Sequence, residues 1–293
     1  MNLIAVVLRT ILAVSFAQAP EPAPILNIDG VDGHHMVIRP AALQKPLLVH
    51  FFSVQSPGWQ EELLALKRLN ARFAAEGFAL VSIAAPGNGT REKVAAFAAK
   101  NGLVFPVAMD EGNLSAFNGD RVPRLVLVTP DGEVALRLFD PVGGAQIKEI
   151  ESRLPALLGR RRELLDRAAA DARRRKEIEA AAAKVTAITP DELKARLGGE
   201  LPLYFIGTRN AFDDKHIPGA SFLDPGDVDQ FFKDKDKTQE WIFYCDCTRD
   251  ALGRSGRIAA ELYMKGFRRA SYLKGQLQEW EKRKYPLEER IAR

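Results

Sequence analysis

Continuous apolar runs alternate with stretches of helical spacing along most of the chain. Residues 46–52, Pro-Leu-Leu-Val-His-Phe-Phe, read as a buried strand, and residues 61–75 follow with helical period through Leu63, Leu64, Leu66, Leu69 and Phe73. Residues 78–84 form a second apolar strand, 91–100 a helix, 125–129 a strand, and the Asp131-Gly132 turn leads into a strand at 134–139. Strands alternating with helices and closing on a hairpin predict an α/β sheet with a mixed edge. A second series starts at Ile188. Thr189-Pro190-Asp191-Glu192 is a capping signal for a helix running to Leu197, followed by strands at 201–206, 240–244 and 267–272, a short helix at 228–232, and a closing helix at 277–284. Between the last two strands, helical spacing begins at about Gly253, continues through Ile258, Leu262 and Met264, and stops at Gly266. This order predicts a parallel sheet covered on both faces, with ligands bound beyond the C-terminal strand ends.

The segment between the two series has a different character. Pro155 and Gly159 punctuate it, and from Arg160 to Lys184 it is charged and alanine-rich with little apolar stripe. Arg160, Arg161, Arg162, Arg173, Arg174, Arg175 and Lys176 make this helix basic. A solvated spacer is the favoured reading; contact with anionic lipid headgroups or an acidic partner is the alternative. At the N-terminus, an apolar core at residues 11–16 precedes Ala17-Gln18-Ala19, the pattern of an export signal, with a buried N-terminal strand as the competing reading. Neither apolar run there is long enough for a spanning helix. The expected division is a signal at 1–19, a proline-rich tether at 20–24, a first domain at 25–158, a basic helical linker at 159–186 and a second domain at 187–289.

Composition narrows the function classes. A chain of 293 residues, 46% hydrophobic and 27% charged, has room for two ordinary globular domains. Its net charge of +4 is mild and is not clustered with groove-reading or aromatic elements, so nucleic acid is not an expected partner. Two cysteines make no disulfide framework, and no histidine pair stands at metal-ligand spacing with them. Neither a metal nor any other cofactor is expected. His34 and His35 read as surface or loop residues.

Both cysteines fall in one stretch, Tyr244-Cys245-Asp246-Cys247-Thr248-Arg249-Asp250, between a strand end and a helix N-terminus. Unpaired backbone N–H groups and the helix dipole favour an anion there, and Arg249 and Arg254 add positive charge, so a nearby thiol is expected to have a lowered pKa. A buried inert thiol is the bland alternative for Cys245. Cys247 reads as a resolving thiol, as the partner of Cys245 in a strained disulfide, or as a plain loop residue.

Residues 188–288 resemble a rhodanese domain. The resemblance rests on His216-Ile217-Pro218-Gly219-Ala220, on Tyr244-Cys245 at a strand end, and on Gly266-Phe267, Leu273-Lys274-Gly275, Trp280 and Tyr285-Pro286. It implies that Cys245 takes sulfane sulfur from a donor such as thiosulfate, holds it as a persulfide, and passes it to a thiol or cyanide. Arg249 and Arg254 would neutralise the anionic donor, and Asp246, Cys247, Thr248, Asp250, Gly253 and Ser255 would form the substrate loop. The sequence departs from the family at several places. Arg254-Ser255 lies further from Cys245 than is usual, the loop looks like an extended variant of a C-x-C-P-N-E form, Gly207 stands at a position commonly aspartate, and the spacing from Arg209 to His216 is contracted. His216 reads as structural.

Residues 25–158 resemble the thioredoxin-like fold of periplasmic thiol-disulfide proteins. Where that family has its cysteine pair this chain reads Gln55-Ser56-Pro57-Gly58-Trp59, so dithiol chemistry is absent at that site. Pro123 stands at the family's cis-proline position, and no histidine or acid is spaced to activate Ser56. The groove around Trp59 and Pro123 is expected to bind a peptide or protein partner. The resemblances together imply an exported, periplasmic sulfurtransferase with a small sulfur donor and a thiol acceptor, and membrane contact only through an uncleaved signal. A non-catalytic binding protein and a thiol oxidoreductase using Cys245 and Cys247 stand beside it. Neither cysteine has an arginine at the spacing of a cysteine phosphatase.

Overall fold

A computed structural model describes residues 21–53, 58–117, 124–139, 143–247 and 252–289. The expected signal at 1–19, together with Pro20, Gln55, Ser56, Pro57, Pro123, Thr248, Arg249 and Asp250, lies outside the described residues. The chain forms two compact units, Met1–Arg167 and Ala168–Arg293.

The first unit holds strands β1 (Leu26–Gly30), β2 (His35–Ile38), β3 (Leu47–Phe52), β4 (Ala79–Ala84), β5 (Val107–Asp110), β6 (Leu125–Val128) and β7 (Val134–Leu138). Its helices are α1 (Pro40–Leu43), α2 (Trp59–Phe73), α3 (Arg91–Lys100), α4 (Asn113–Ala116) and the start of α5 (Gly144–Ala182). The sheet order is β2-β1-β5-β4-β3-β6-β7, with β3, β4 and β5 mutually parallel and the remaining pairs antiparallel. Parallel central strands with an antiparallel β6–β7 hairpin give the thioredoxin-like arrangement implied by the sequence. The pleat of β3 sorts its side chains: Leu47, Val49 and Phe51 join one face with Val81 and Ile83, while Leu48 meets Leu66, Leu69 and Phe73 of α2 on the other.

His35 is exposed, as expected of a surface residue, and it opens the edge strand β2, pairing with Asp29 across β1–β2. The structure corrects two expectations here. Residues 20–24 are not a free tether beyond their first position: Glu21 and Ala23 hydrogen-bond with Val134 and Gly132, and Glu21 forms an ion pair with Arg137. The linker helix does not begin after Gly159, because α5 runs unbroken for 39 residues with Pro155 inside it. Proline removes one helical hydrogen bond, yet Ile150, Leu154 and Leu158 are buried against Leu48, Leu69 and Phe73, and that packing outweighs the loss. Most of α5 past Leu158 is exposed, as a solvated spacer would be. Among the described residues no helix is long and apolar enough to cross a membrane.

The second unit holds β8 (Thr186–Ile188), β9 (Leu203–Ile206), β10 (Ser221–Leu223), β11 (Trp241–Tyr244) and β12 (Ala270–Leu273), with helices α6 (Pro190–Lys194), α7 (Arg209–Asp214), α8 (Val228–Phe232), α9 (Gly253–Met264) and α10 (Gln276–Lys282). Its sheet order is β10-β9-β11-β12-β8, and every pairing is parallel. The central β11 sends Ile242 and Tyr244 to one buried face and Trp241 and Phe243 to the other. Thr189 and Glu192 close a reciprocal capping box at the start of α6, as their spacing predicted.

Candidate functional site

The strand β11 ends at Tyr244, and Cys245 follows at the C-terminal edge of the parallel sheet, where helix α9 approaches with its N-terminus. Tyr244 fixes this edge from below. Its phenol accepts the Ile217 backbone N–H at 3.0 Å, and burial pushes its pKa well above the usual phenol range. His216 belongs to the same support: Nδ1 lies 2.9 Å from the Phe212 carbonyl oxygen and its ring stacks on Phe212.

Around Cys245 the polar groups converge on one residue that sequence reasoning missed. The side-chain oxygen of Gln276 accepts the Cys245 backbone N–H at 3.2 Å, the Ser255 hydroxyl at 2.6 Å and the Cys245 thiol at 3.5 Å. The amide nitrogen donates to the Leu252 carbonyl at 3.1 Å. A main-chain N–H is only a donor, so it fixes which end of the Gln276 amide is oxygen. Cys245 is 0% exposed and Gln276 is 2% exposed, so this cluster is closed to water. Gln276 also has φ of 56°, in the left-handed region that a side chain with a Cβ adopts at a cost. No periodicity or turn signal in Lys274-Gly275-Gln276 marks it; only its polar side chain at a buried position betrays it.

Cys247 is the more accessible of the two free cysteines, and it is the one on the helix N-terminus, where its sulfur accepts the Arg254 backbone N–H at 3.3 Å. The expected lowering of a thiol pKa does not occur at Cys247. Burial, with the neighbouring Cys245 thiol, pushes it up to about 11, outweighing the Arg254 N–H and guanidinium. Of the other predicted loop residues, Asp246, Gly253, Arg254 and Ser255 are described and lie at the same edge. The Asp246 carbonyl accepts from the Gln278 side chain at 2.6 Å, and the Asp246 carboxylate lies 3.9 Å from Arg254, whose guanidinium donates to the Ile206 carbonyl at 3.3 Å. Gly253, with φ of 62°, passes so close to the cluster that a Cβ there would lie 3.1 Å from Cys245 Sγ. At Gly207 a Cβ would meet the buried Phe205 ring at 2.3 Å, so the packing itself excludes a side chain at that departure from the family.

The corresponding strand end of the first unit holds charges in place of thiols. His50 on β3, Glu62 on α2 and Arg124 before β6 are all buried. Glu62 lies 2.8 Å from Arg124 Nη2 and 3.4 Å from His50 Nε2, and His50 Nδ1 lies 3.0 Å from the Ser82 hydroxyl. Burial would raise the Glu62 pKa, but the nearby His50 ring and the hydrogen bonds from Arg124 prevail and hold it below its ordinary 4.5. Trp59 begins α2 and packs its ring 4.9 Å from that of Phe97.

Fold and site thus define a two-unit α/β protein in which a thioredoxin-like unit is followed by a cysteine-bearing parallel sheet. Residues 189–283 match the family model described as Rhodanese-like domain, and the second unit carries that domain. No curated protein matches this chain. Among solved structures, the chain is similar to a thiol:disulfide interchange protein of the thioredoxin family from Chlorobium tepidum TLS, at 24% identity over 46% of this chain and 97% of that one, with a TM-score of 0.40. It is also similar to a putative thiol:disulfide interchange protein DsbE from Chlorobium tepidum, at 20% identity over 47% of this chain and 96% of that one (TM-score 0.38). A thiol-disulfide oxidoreductase from Bacteroides fragilis NCTC 9343 aligns at 20% identity over 46% of this chain and 100% of that one (TM-score 0.39).

Proposed function

We propose that the chain is an exported rhodanese-type sulfurtransferase that carries sulfane sulfur as a persulfide on Cys245. The observation that carries this reading is the position of Cys245 at the end of β11, inside the matched domain and in contact with Gly253 and Ser255 of the α9 N-terminus through Gln276. With thiosulfate as donor, Cys245 loses its proton to water that enters with the donor when the site opens, and its thiolate attacks the outer sulfur. A new S–S bond forms, the S–S bond of thiosulfate breaks, and sulfite leaves with the electron pair. No external oxidant or reductant is needed. Arg249 and Arg254 neutralise the donor's charge. A thiol acceptor then takes the outer sulfur, restoring Cys245. The thioredoxin-like unit, without cysteines at residues 55–59, serves as a binding module around Trp59 and Pro123, and residues 1–19 direct export to the periplasm.

The contact between the two thiols supports a second reading, a reversible Cys245–Cys247 disulfide. Intact-mass spectrometry separates the two. The reduced protein incubated with thiosulfate or a polysulfide is expected to gain about 32 Da, the mass of one sulfur, in wild type and in Cys247→Ser but not in Cys245→Ser. The absence of any gain would sink the persulfide reading, and a loss of about 2 Da on mild oxidation that needs both cysteines would favour the disulfide.

A further inference from the structure

Gln276 does more than fill the space beneath Cys245. Its backbone is held left-handed, one of three non-glycine residues so placed among those described, and such strain persists only where surrounding contacts over-determine it. Here those contacts are four hydrogen bonds from one side chain, which tie the strand end, the start of α9 and Leu252 to a single amide. The amide oxygen is turned toward the sulfur. It is an acceptor, so it is satisfied by the protonated thiol and would face a thiolate with its own partial negative charge. Space is closed as well. The outer sulfur of a persulfide extends about 2 Å beyond Sγ, and Sγ is bounded by Gln276 on one side and on another by Gly253, where even a methyl group would sit 3.1 Å away.

We propose that Gln276 is a positioning residue that latches Cys245 shut as a buried thiol, so that sulfur loading requires its side chain to swing away from Cys245. The consequence for loading rests on the sulfurtransferase reading; the latch itself does not. Among the described residues, the titratable and charged groups of this edge are Cys247 and Asp246 on the loop and Arg254 on α9. None of these replaces the Gln276 oxygen at the thiol.

The test is the rate at which iodoacetamide alkylates each cysteine in the folded full-length protein, resolved by peptide mass. Gln276→Gly removes the acceptor and suits a φ of 56°, which offsets part of the cost of the two donors it leaves, and a cooperative thermal unfolding transition is required of it before labelling. Gln276→Asn serves as a second opened variant, since asparagine tolerates the left-handed region and is one methylene too short to reach the thiol. In both, alkylation of Cys245 is expected to rise about tenfold, the factor for one lost hydrogen bond between neutral groups, with Cys247 changing far less. Gln276→Glu keeps the length and an acceptor oxygen and is expected to restore the slow rate at Cys245. A purely structural role would change thermal stability without altering the ratio of the two alkylation rates. Equal Cys245 rates in wild type and both opened variants would overturn the latch. No sulfur donor takes part, so failure of the persulfide reading shows in the mass experiment and failure of the latch shows only here.

Discussion

Each unit buries a polar cluster at the C-terminal end of a central strand, and the two clusters differ in one respect that governs what they can do. Under β3 the cluster is built on an ion pair, Glu62 with Arg124, and has His50 and Ser82 beside it. Beyond β11 it is neutral: a thiol, a hydroxyl and an amide gathered on Gln276. A buried ion is tolerable only while its partners are in place, because losing one strands the other without water. The ionic cluster is therefore a fixed strut. A neutral cluster exchanges hydrogen bonds at a net cost of about 1 kcal/mol each, so it is able to open and reform around a reacting sulfur. The unit that has no thiols at residues 55–59 keeps the rigid cluster, and the unit that has thiols keeps the yielding one.

The largest break in this contrast is Glu62→Leu. It removes the carboxylate that Arg124 donates to at 2.8 Å, and the expected loss is about 3 kcal/mol of stability in the first unit. Urea unfolding reports it through fluorescence, since Trp59 lies in that unit and Trp241 and Trp280 lie in the other. A loss below about 1 kcal/mol would mean the ion pair is not the strut described. Next in size is a contrast between protonation states. With the Cys247 thiol pushed up to about 11, its alkylation is expected to rise about tenfold per pH unit between roughly 8 and 10, and a plateau reached by pH 8 would contradict that. The smallest effect is on acid stability. Because the folded Glu62 titrates below its ordinary 4.5, its stabilising contribution is complete above about that pH and is lost as pH falls through the lower folded value. Denaturation midpoints followed below pH 5 should fall for wild type and stay flatter for Glu62→Leu.

Sequence patterning was sufficient wherever the apolar period was long. The runs at 46–52 and 78–84 are the observed β3 and β4 to within a residue, and α3 and α8 have the expected bounds. It missed β1, β2 and β5, short strands whose signal is an alternation of only a few residues, and it missed β8 and β10, each of three residues. It also began the linker helix only after Pro155 and Gly159, because local propensity counts against both, while the burial of Ile150, Leu154 and Leu158, a tertiary contact, carries the helix through them. At the site, Cys245, Cys247, Gly253, Arg254 and Ser255 were legible because one short stretch holds them. Gln276 was not, because its role depends on a left-handed backbone and on a strand end 31 residues earlier in the chain. The same distance effect explains the thiol environment. The helix N-terminus was foreseen, but the sulfur that accepts its Arg254 N–H is that of Cys247.

One amide oxygen serving Cys245 and Ser255 together also constrains the order in which this cluster is able to change in evolution. Ser255→Ala removes one donor and leaves Gln276 with its bonds to Cys245, a step that costs one hydrogen bond. Gln276 changed first strands the Cys245 N–H and the Ser255 hydroxyl in a place sealed from water, a heavier penalty for the same two-step path. Substitutions at 255 and 276 are therefore epistatic, and lineages that drift through this cluster are expected to lose the serine before the glutamine.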